Sequence, residues 1–317
     1  MIKRSDKSAI EMGFNWLFAI IAGGFILFIA IYATSKFIGV SEQKYGTEAA
    51  STISSFLDSL ETGLAAGIKN PEMSFRKNTR LYFDCDETVN SPFGRETISF
   101  SEQTFGNKWS EKSNRVSIKN KYIFTEDGLE GKKFYYFSFP FSMPYSVGDI
   151  VIIESGIYCF YDAPSEVVDD LSTSGLDVKN IIFANLTSEC EGIKVCFGGQ
   201  ADCDVKVSLS NNYVEKDGKR VYYYGNLIYG AIFSSPEVYE CNIKRLMSKL
   251  NELGKIYLDK IKIMERKECD PRIGPKLTMM MSVAQNLSSS RSLITIGTSS
   301  EEIDQINEAG KPGCKLY

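Results

Sequence analysis

The chain has 317 residues, 43% of them hydrophobic and 24% charged, with a net charge of −4 and no histidine. That balance describes a folded protein rather than a disordered one, and a mildly acidic chain lacks the basic stripe that nucleic-acid partners require. The missing histidine removes Ser-His-Asp and Cys-His catalysis, imidazole proton shuttles and histidine-ligated zinc.

Residues 1–11 form a short leader, with Lys3, Arg4 and Lys7 set against Asp6 and Glu11. Met12 to Ser35 follow as 24 residues without a charge. A bilayer core about 30 Å thick needs about 20 apolar residues at about 1.5 Å rise each. Residues 12–40 therefore read as a transmembrane signal-anchor helix. A cleaved secretory signal has a shorter apolar region, about 7–15 residues, with a small-residue cleavage site behind it. Here the run is longer, and the following SKFIGVSEQKYG has no A-x-A pattern. Basic residues ahead of the span favour a cytoplasmic N-terminus and an extracellular remainder. Ala19, Gly23 and Ala30 lie near one helix face, where small residues let helices approach closely. Self-association, or an envelope-protein partner, is expected through this helix, with the membrane as its other partner.

The head of the span reads Lys7-Ser8-Ala9-Ile10-Glu11-Met12-Gly13-Phe14. This resembles the N-terminus of archaeal type IV pilins and related single-pass surface proteins, over about the first 40 residues. In that family a dedicated peptidase cuts a short basic leader just ahead of the hydrophobic helix. The resemblance implies Lys7, Ser8 and Ala9 as the processing positions, with Ser8 standing where glycine is usual. It also implies a place in a filament or cell-envelope complex.

From 41 to 70 the apolar positions Tyr45, Ala49, Ile53, Phe56, Leu57, Leu60, Leu64 and Ile68 step by threes and fours, the period of an amphipathic helix. Asn70-Pro71 ends it. This segment reads as a stalk that continues the transmembrane helix.

Residues 71–234 read as a mainly β ectodomain. KNTRLYFDC, RETISF, NRVSIKNKYIF, KKFYYFSF, GDIVII and GIYCFY are rich in β-branched and aromatic residues. Glu126-Asp127-Gly128 suggests a hairpin between the third and fourth of these. Pro164 and Glu166 open a short helix to about Leu171, NIIFANL follows as a buried strand, and IKVCF, CDVKVSLS and KRVYYYG continue the sheet. Lys216-Asp217-Gly218-Lys219 reads as a hairpin turn between the last two of these.

Residues 235–317 read as helical and packed on the ectodomain. Ser235-Pro236-Glu237 is a cap with proline at the first helical position, and an apolar stripe runs from Val238 to Ile263. Two further helices are expected, at 275–289 and 300–309. The fold class is α+β: an N-terminal transmembrane helix, an amphipathic helix, an antiparallel-rich sheet and a long C-terminal helix.

The eight cysteines, Cys85, Cys159, Cys190, Cys196, Cys203, Cys241, Cys269 and Cys314, all follow the hydrophobic run. None has CxxC spacing, so zinc-ribbon and thioredoxin-type readings lose their signature. An even number on one side of a membrane fits disulfides in an oxidising compartment. Connectivity stays open. Cys190–Cys196 is one short local possibility, and Cys241, Cys269 and Cys314 are placed to staple the helical end to itself or to the sheet. The sequons at Asn185 and Asn286 agree with an extracellular position.

Asp84, Asp86 and Glu87 cluster as calcium ligands do, but without the glycine and alternation of an EF-hand loop, so solvated charge is the simpler reading. The same holds for Asp169-Asp170. The Met279–Met281 triplet and the abundant tyrosine and phenylalanine suit core packing before a partner groove or glycan face. Gly198-Gly199 lacks the ending of a phosphate loop. No cofactor, metal or catalytic motif is expected. The function expected is that of a non-catalytic, single-pass cell-surface protein, in filament or envelope assembly or in extracellular binding. The alternatives are a membrane-tethered hydrolase with paired carboxylates and an accessory subunit of a secretion or translocation complex.

Overall fold

The computed structural model describes residues 16–36, 72–87, 93–104, 107–118, 120–172, 178–184, 190–198, 202–310 and 314–317. Lys7, Ser8 and Ala9, the stalk segment 41–70 and the Asn185 sequon lie outside the described residues. Within them the chain is α+β: an apolar helix α1 (Trp16–Lys36), two mixed sheets and a set of helices toward the C-terminal end.

The first sheet contains β1 (Glu72–Asp86), β2 (Arg95–Glu102), β3 (Val116–Ile118), β4 (Tyr122–Phe124), β5 (Gly128–Ser142) and β6 (Ser146–Glu154), in the order β3-β2-β1-β5-β6-β4. Every pairing is antiparallel except the parallel β4–β6 pair. The order places β3 and β4 at opposite edges, although only Lys119, Asn120 and Lys121 separate them in the chain. A flat six-stranded sheet holds its edges about 24 Å apart at about 4.8 Å per strand. That short connection spans at most about 14 Å. The sheet therefore curls until its edges meet, forming an incomplete barrel. Glu96 on β2 seals the seam by accepting the Ile123 amide of β4 at 3.2 Å.

Strand alternation then divides the apolar residues between two cores. Ile123, Val151, Ile153, Phe134 and Tyr136 point into the barrel with Leu81, Ile98 and Phe100. Their neighbours Tyr122, Phe124, Ile150, Ile152, Phe137 and Phe139 point outward into a second, larger core. Both faces of β4 and β6 are covered, which is why their sequences read as unbroken apolar runs. The expected single strand NRVSIKNKYIF is instead two strands, and the expected hairpin at Glu126-Asp127-Gly128 does not form. β4 pairs with β6 while β5 pairs with β1 and β6, because barrel closure carries the chain from one edge to the other at Asn120, which adopts φ 56°.

The second sheet contains β7 (Tyr158–Tyr161), β8 (Ile181–Ala184), β9 (Ile193–Phe197), β10 (Val205–Ser208), β11 (Tyr213–Lys216) and β12 (Lys219–Tyr222), in the order β12-β11-β10-β9-β7-β8. Helix α2 (Ser165–Ser172) is the crossover between the parallel strands β7 and β8. β8 is an edge strand with Ile182 and Phe183 exposed, not the fully buried strand expected of NIIFANL. The Lys216–Lys219 turn forms, with Asp217 and Gly218 both at positive φ, the requirement of a two-residue turn, but the hairpin joins β11 to β12 and not, as expected, CDVKVSLS to KRVYYYG. Its first strand, β11, has no counterpart in the sequence reading.

Helix α3 (Leu227–Phe233) is wedged between the sheets, and all seven of its residues are buried. Tyr229 stacks on Phe139 at 4.1 Å, and Phe233 meets Phe137 and Tyr158 edge-on at 5.3 and 4.6 Å. A helix enclosed on every side has no amphipathic period, so its sequence carried no helical signal. Helix α4 (Pro236–Glu265) begins and ends where its local signals place it, and Ser235 accepts the Val238 amide as N-cap. Helices α5 (Gly274–Gln285) and α6 (Leu293–Glu308) pack in turn beyond it. α5 is shorter than expected, and α6 starts seven residues earlier than the expected Ser300.

Candidate functional site

Helix α1 has 21 residues, and none of its apolar window is buried among the described residues. Trp16, Phe18, Ile21, Phe25, Leu27 and Phe28 are each more than half exposed. Leaving a large apolar side chain in water forgoes about 1.5–3 kcal/mol of burial. A helix with this surface is stable in lipid or against another apolar helix. Ala19, Gly23 and Ala30 are exposed on it, and nothing lies within 4 Å of the Cβ position of Gly23. Thr34 returns its hydroxyl to the Ala30 carbonyl at 2.7 Å, which satisfies a polar group inside the helix. The segment has the length and composition of a membrane span, criteria that a secretory signal also meets.

Four disulfides pair all eight cysteines: Cys85–Cys241, Cys159–Cys190, Cys196–Cys203 and Cys269–Cys314. The local Cys190–Cys196 pairing is not adopted. Cys159 and Cys196 share one face of the second sheet, since Tyr161 opposite Cys196 has the same parity as Cys159. Each reaches out to a loop cysteine. These two bridges, with Tyr161, cover the face that none of the described helices covers. Cys85–Cys241 ties β1 to α4 across 156 residues, and Cys269–Cys314 ties the chain after α4 to the segment after α6. Leu316 is fully buried there, with its amide on the Asn307 side chain at 2.6 Å. The distribution of four disulfides points to an oxidising environment.

A cleft of about 400 Å³ opens beside Cys85–Cys241, lined among others by Tyr82, Asp84, Lys112, Arg115, Asp127 and Glu237. Each of these charged side chains has a partner within the protein. Asp84 pairs with Arg115 at 2.9 Å, Lys112 lies 3.7 Å over the Tyr82 ring, Asp127 accepts from Ser235 at 2.8 Å, and Glu237 pairs with Lys219. That Lys219 ammonium holds the Glu237 carboxyl below its ordinary value. The carboxylates read as solvated charge rather than calcium ligands each have a separate basic partner: Asp84 with Arg115, Asp86 near Arg95 at 3.9 Å, and Glu87 with Lys244 at 2.8 Å. No metal-ligating cluster occurs among the described residues. Asp170 does not face water as expected. It is half-buried and accepts the Tyr229 hydroxyl of α3 at 2.6 Å, whereas Asp169 is exposed as expected. Of the methionine triplet, Met280 is buried and Met279 exposed.

The most desolvated ionic contact went unread in the sequence. Arg245 on α4 donates to Glu96 at 2.8 Å, to the Asn242 side chain at 2.6 Å, and to the carbonyls of Lys121 and Phe93 at 2.9 and 3.0 Å. Asn242 in turn donates to the Ile123 carbonyl at 2.7 Å. The guanidinium thus fastens α4 to both sides of the barrel seam. Gly94, at φ +63°, lets it pass: a Cβ there would lie 2.9 Å from the Arg245 side chain and 2.7 Å from the Asp86 carbonyl. Two signals were present in the sequence. Asn242 and Arg245 interrupt the buried stripe of α4, and Glu96 shares the inward parity of Ile98 and Phe100.

Burial raises the Glu96 carboxyl to about 7, against the opposing pull of Arg245 and the Ile123 amide. Glu154, at the end of β6, is likewise raised well above the ordinary carboxyl value by burial. It sits at the junction of the two sheets, where Lys216 pairs with Glu126. Comparison with known protein families, with curated proteins and with solved structures found no match to this chain.

Proposed function

We propose that this chain is a non-catalytic, single-pass surface protein, anchored by α1 with its basic leader in the cytoplasm and its disulfide-bonded α+β ectodomain outside. The observation that carries this reading is the pairing of an unburied apolar helix with an ectodomain whose eight cysteines are all in disulfides. Lipid or a neighbouring helix supplies what α1 lacks in water, and an oxidising compartment supplies what the cysteines need. Within that class the protein acts as a pilin-like subunit. The Lys7-Ser8-Ala9 leader junction and the small-residue face at Ala19, Gly23 and Ala30 support assembly of α1 with its own kind or with envelope partners. The charged side chains of the cleft beside Cys85–Cys241 are engaged by internal partners, which supports a structural or binding role over acid-base catalysis.

Fractionation of native cells tests the anchor. The protein is expected in the membrane pellet after alkaline carbonate washing and in the soluble fraction only with detergent. N-terminal sequencing is expected to begin at or before Ala9. A mature chain beginning after Ser35 would mean a removed secretory signal and would sink the anchor. Electron microscopy and crosslinking along α1 test assembly: an unassembled monomer in native membranes would remove the pilin-like role.

A further inference from the structure

We infer that Asn286 carries an N-linked glycan. The inference rests on the extracellular orientation of the ectodomain proposed above. Asn286 is the residue at which α5 ends, with backbone angles φ −99° and ψ 23° that leave the helix. It heads the triplet Asn286-Leu287-Ser288, the acceptor pattern for an oligosaccharide on asparagine. Leu287 is half-buried and packs on the main core, while Asn286 and Ser288 on either side are exposed. The inward turn of Leu287 therefore sends the amide and hydroxyl that define the acceptor out to solvent.

Both flanks of the triplet are held. Behind it, Asn286 Nδ2 donates one N–H to the Ser282 carbonyl at 2.9 Å, satisfying an acceptor at the open end of α5. Ahead of it, the Ser290 amide and hydroxyl bond the two carboxylate oxygens of Glu240 at 2.7 and 2.5 Å, and Ser290 in turn accepts the Tyr222 amide at 2.9 Å. The acceptor thus projects from a short, fixed connection on the outside of the helical layer.

The chemistry suits this geometry. The donor is a polyprenyl-phosphate-linked or polyprenyl-diphosphate-linked saccharide delivered by a transferase of the same compartment. A bond forms between Asn286 Nδ2 and the sugar C1, the C1–O bond to phosphate breaks, and the polyprenyl phosphate or polyprenyl diphosphate of the donor leaves with the bonding electron pair. One amide proton is lost to base. The primary amide carries two N–H bonds, so the glycosylated amide keeps one for Ser282 and the end of α5 stays satisfied.

The test is peptide mapping of the full chain, purified from membranes of its native cells, alkylated before denaturation and digested without reduction. The tryptic peptide Leu277–Arg291 contains Asn286 as its single asparagine. It is expected to carry added mass in whole saccharide units, and to lose that mass in a Ser288→Ala variant. A bare peptide in a sample whose cysteines are disulfide-linked would overturn the glycan and leave the orientation standing. A bare peptide together with alkylated, unpaired cysteines would overturn the orientation, and this inference with it.

Discussion

Arg245 and Glu96 form a salt bridge of 2.8 Å in which neither side chain is more than 1% exposed. It joins the first third of α4 to the barrel seam, 149 residues away in sequence. Two charges taken out of water are costly unless each is fully paired: Asn242, Lys121 and Phe93 complete the contacts of the guanidinium, whereas on Glu96 the Ile123 amide joins Arg245 at Oε2 and Oε1 is buried without a hydrogen-bond partner.

Removing one partner is therefore expected to be severe. Arg245→Met leaves the buried Glu96 carboxyl opposite an apolar chain, without the guanidinium that favours its charged form, with an expected loss of about 3–5 kcal/mol in urea unfolding at pH 8. The double change Glu96→Leu with Arg245→Met is expected to cost less than Arg245→Met alone, since no unpartnered carboxyl is then buried. Additive losses would show that the two residues are not coupled.

The buried carboxyls set the sign of the pH dependence. Glu96 is raised to about 7 in the folded chain, and Glu154 also lies well above its ordinary value. Between the unfolded value, about 4.5, and these raised values, the folded chain holds more protons than the unfolded one, so stability falls as pH rises. Glu154→Gln keeps the neutral shape. The variant is expected to match the parent near pH 4 and to exceed it near pH 8, read from melting temperature against pH. A variant less stable than the parent at pH 8 would contradict a neutral buried Glu154.

The disulfides are expected to rank by the chain they close. In the chain-entropy account a loop of 156 residues is worth about 5 kcal/mol and one of 7 residues about 2 kcal/mol. The Cys85→Ala/Cys241→Ala pair should therefore lose more in denaturant unfolding than Cys196→Ala/Cys203→Ala. Equal losses would locate the stabilisation in native contacts and not in the unfolded chain. Thiol titration of the denatured, unreduced protein is expected to find no free cysteine.

Gly230 tests the close fit of α3. Alanine in a helix interior is ordinarily favoured over glycine by about 1 kcal/mol. Here a Cβ would lie 2.7 Å from the Phe124 ring, which is fully buried and packed on Tyr239 at 5.7 Å. Overpacking of this kind costs about 1–3 kcal/mol, so Gly230→Ala is expected to lower the melting temperature. Gly274→Ala at the start of α5, with nothing within 4 Å, is the control and is expected to be neutral or stabilising.

Local chemistry alone determined several elements. The uncharged run of α1 needs no neighbour to be read, and Ser235-Pro236 starts α4 through a cap and a fixed φ. Asp217-Gly218 turns the β11–β12 hairpin because two residues must take positive φ. The disulfide partners, the separation of β3 from β4, the wedge of α3 and the Glu96–Arg245 contact were decided only by tertiary structure. Each depends on which residues meet across long stretches of chain. Cys85 finds Cys241 rather than a nearer cysteine because barrel closure and α4 bring their backbones together, with Cα atoms 6.2 Å apart. Periodicity records which face of an element is apolar. It carries no record of which distant face will cover it.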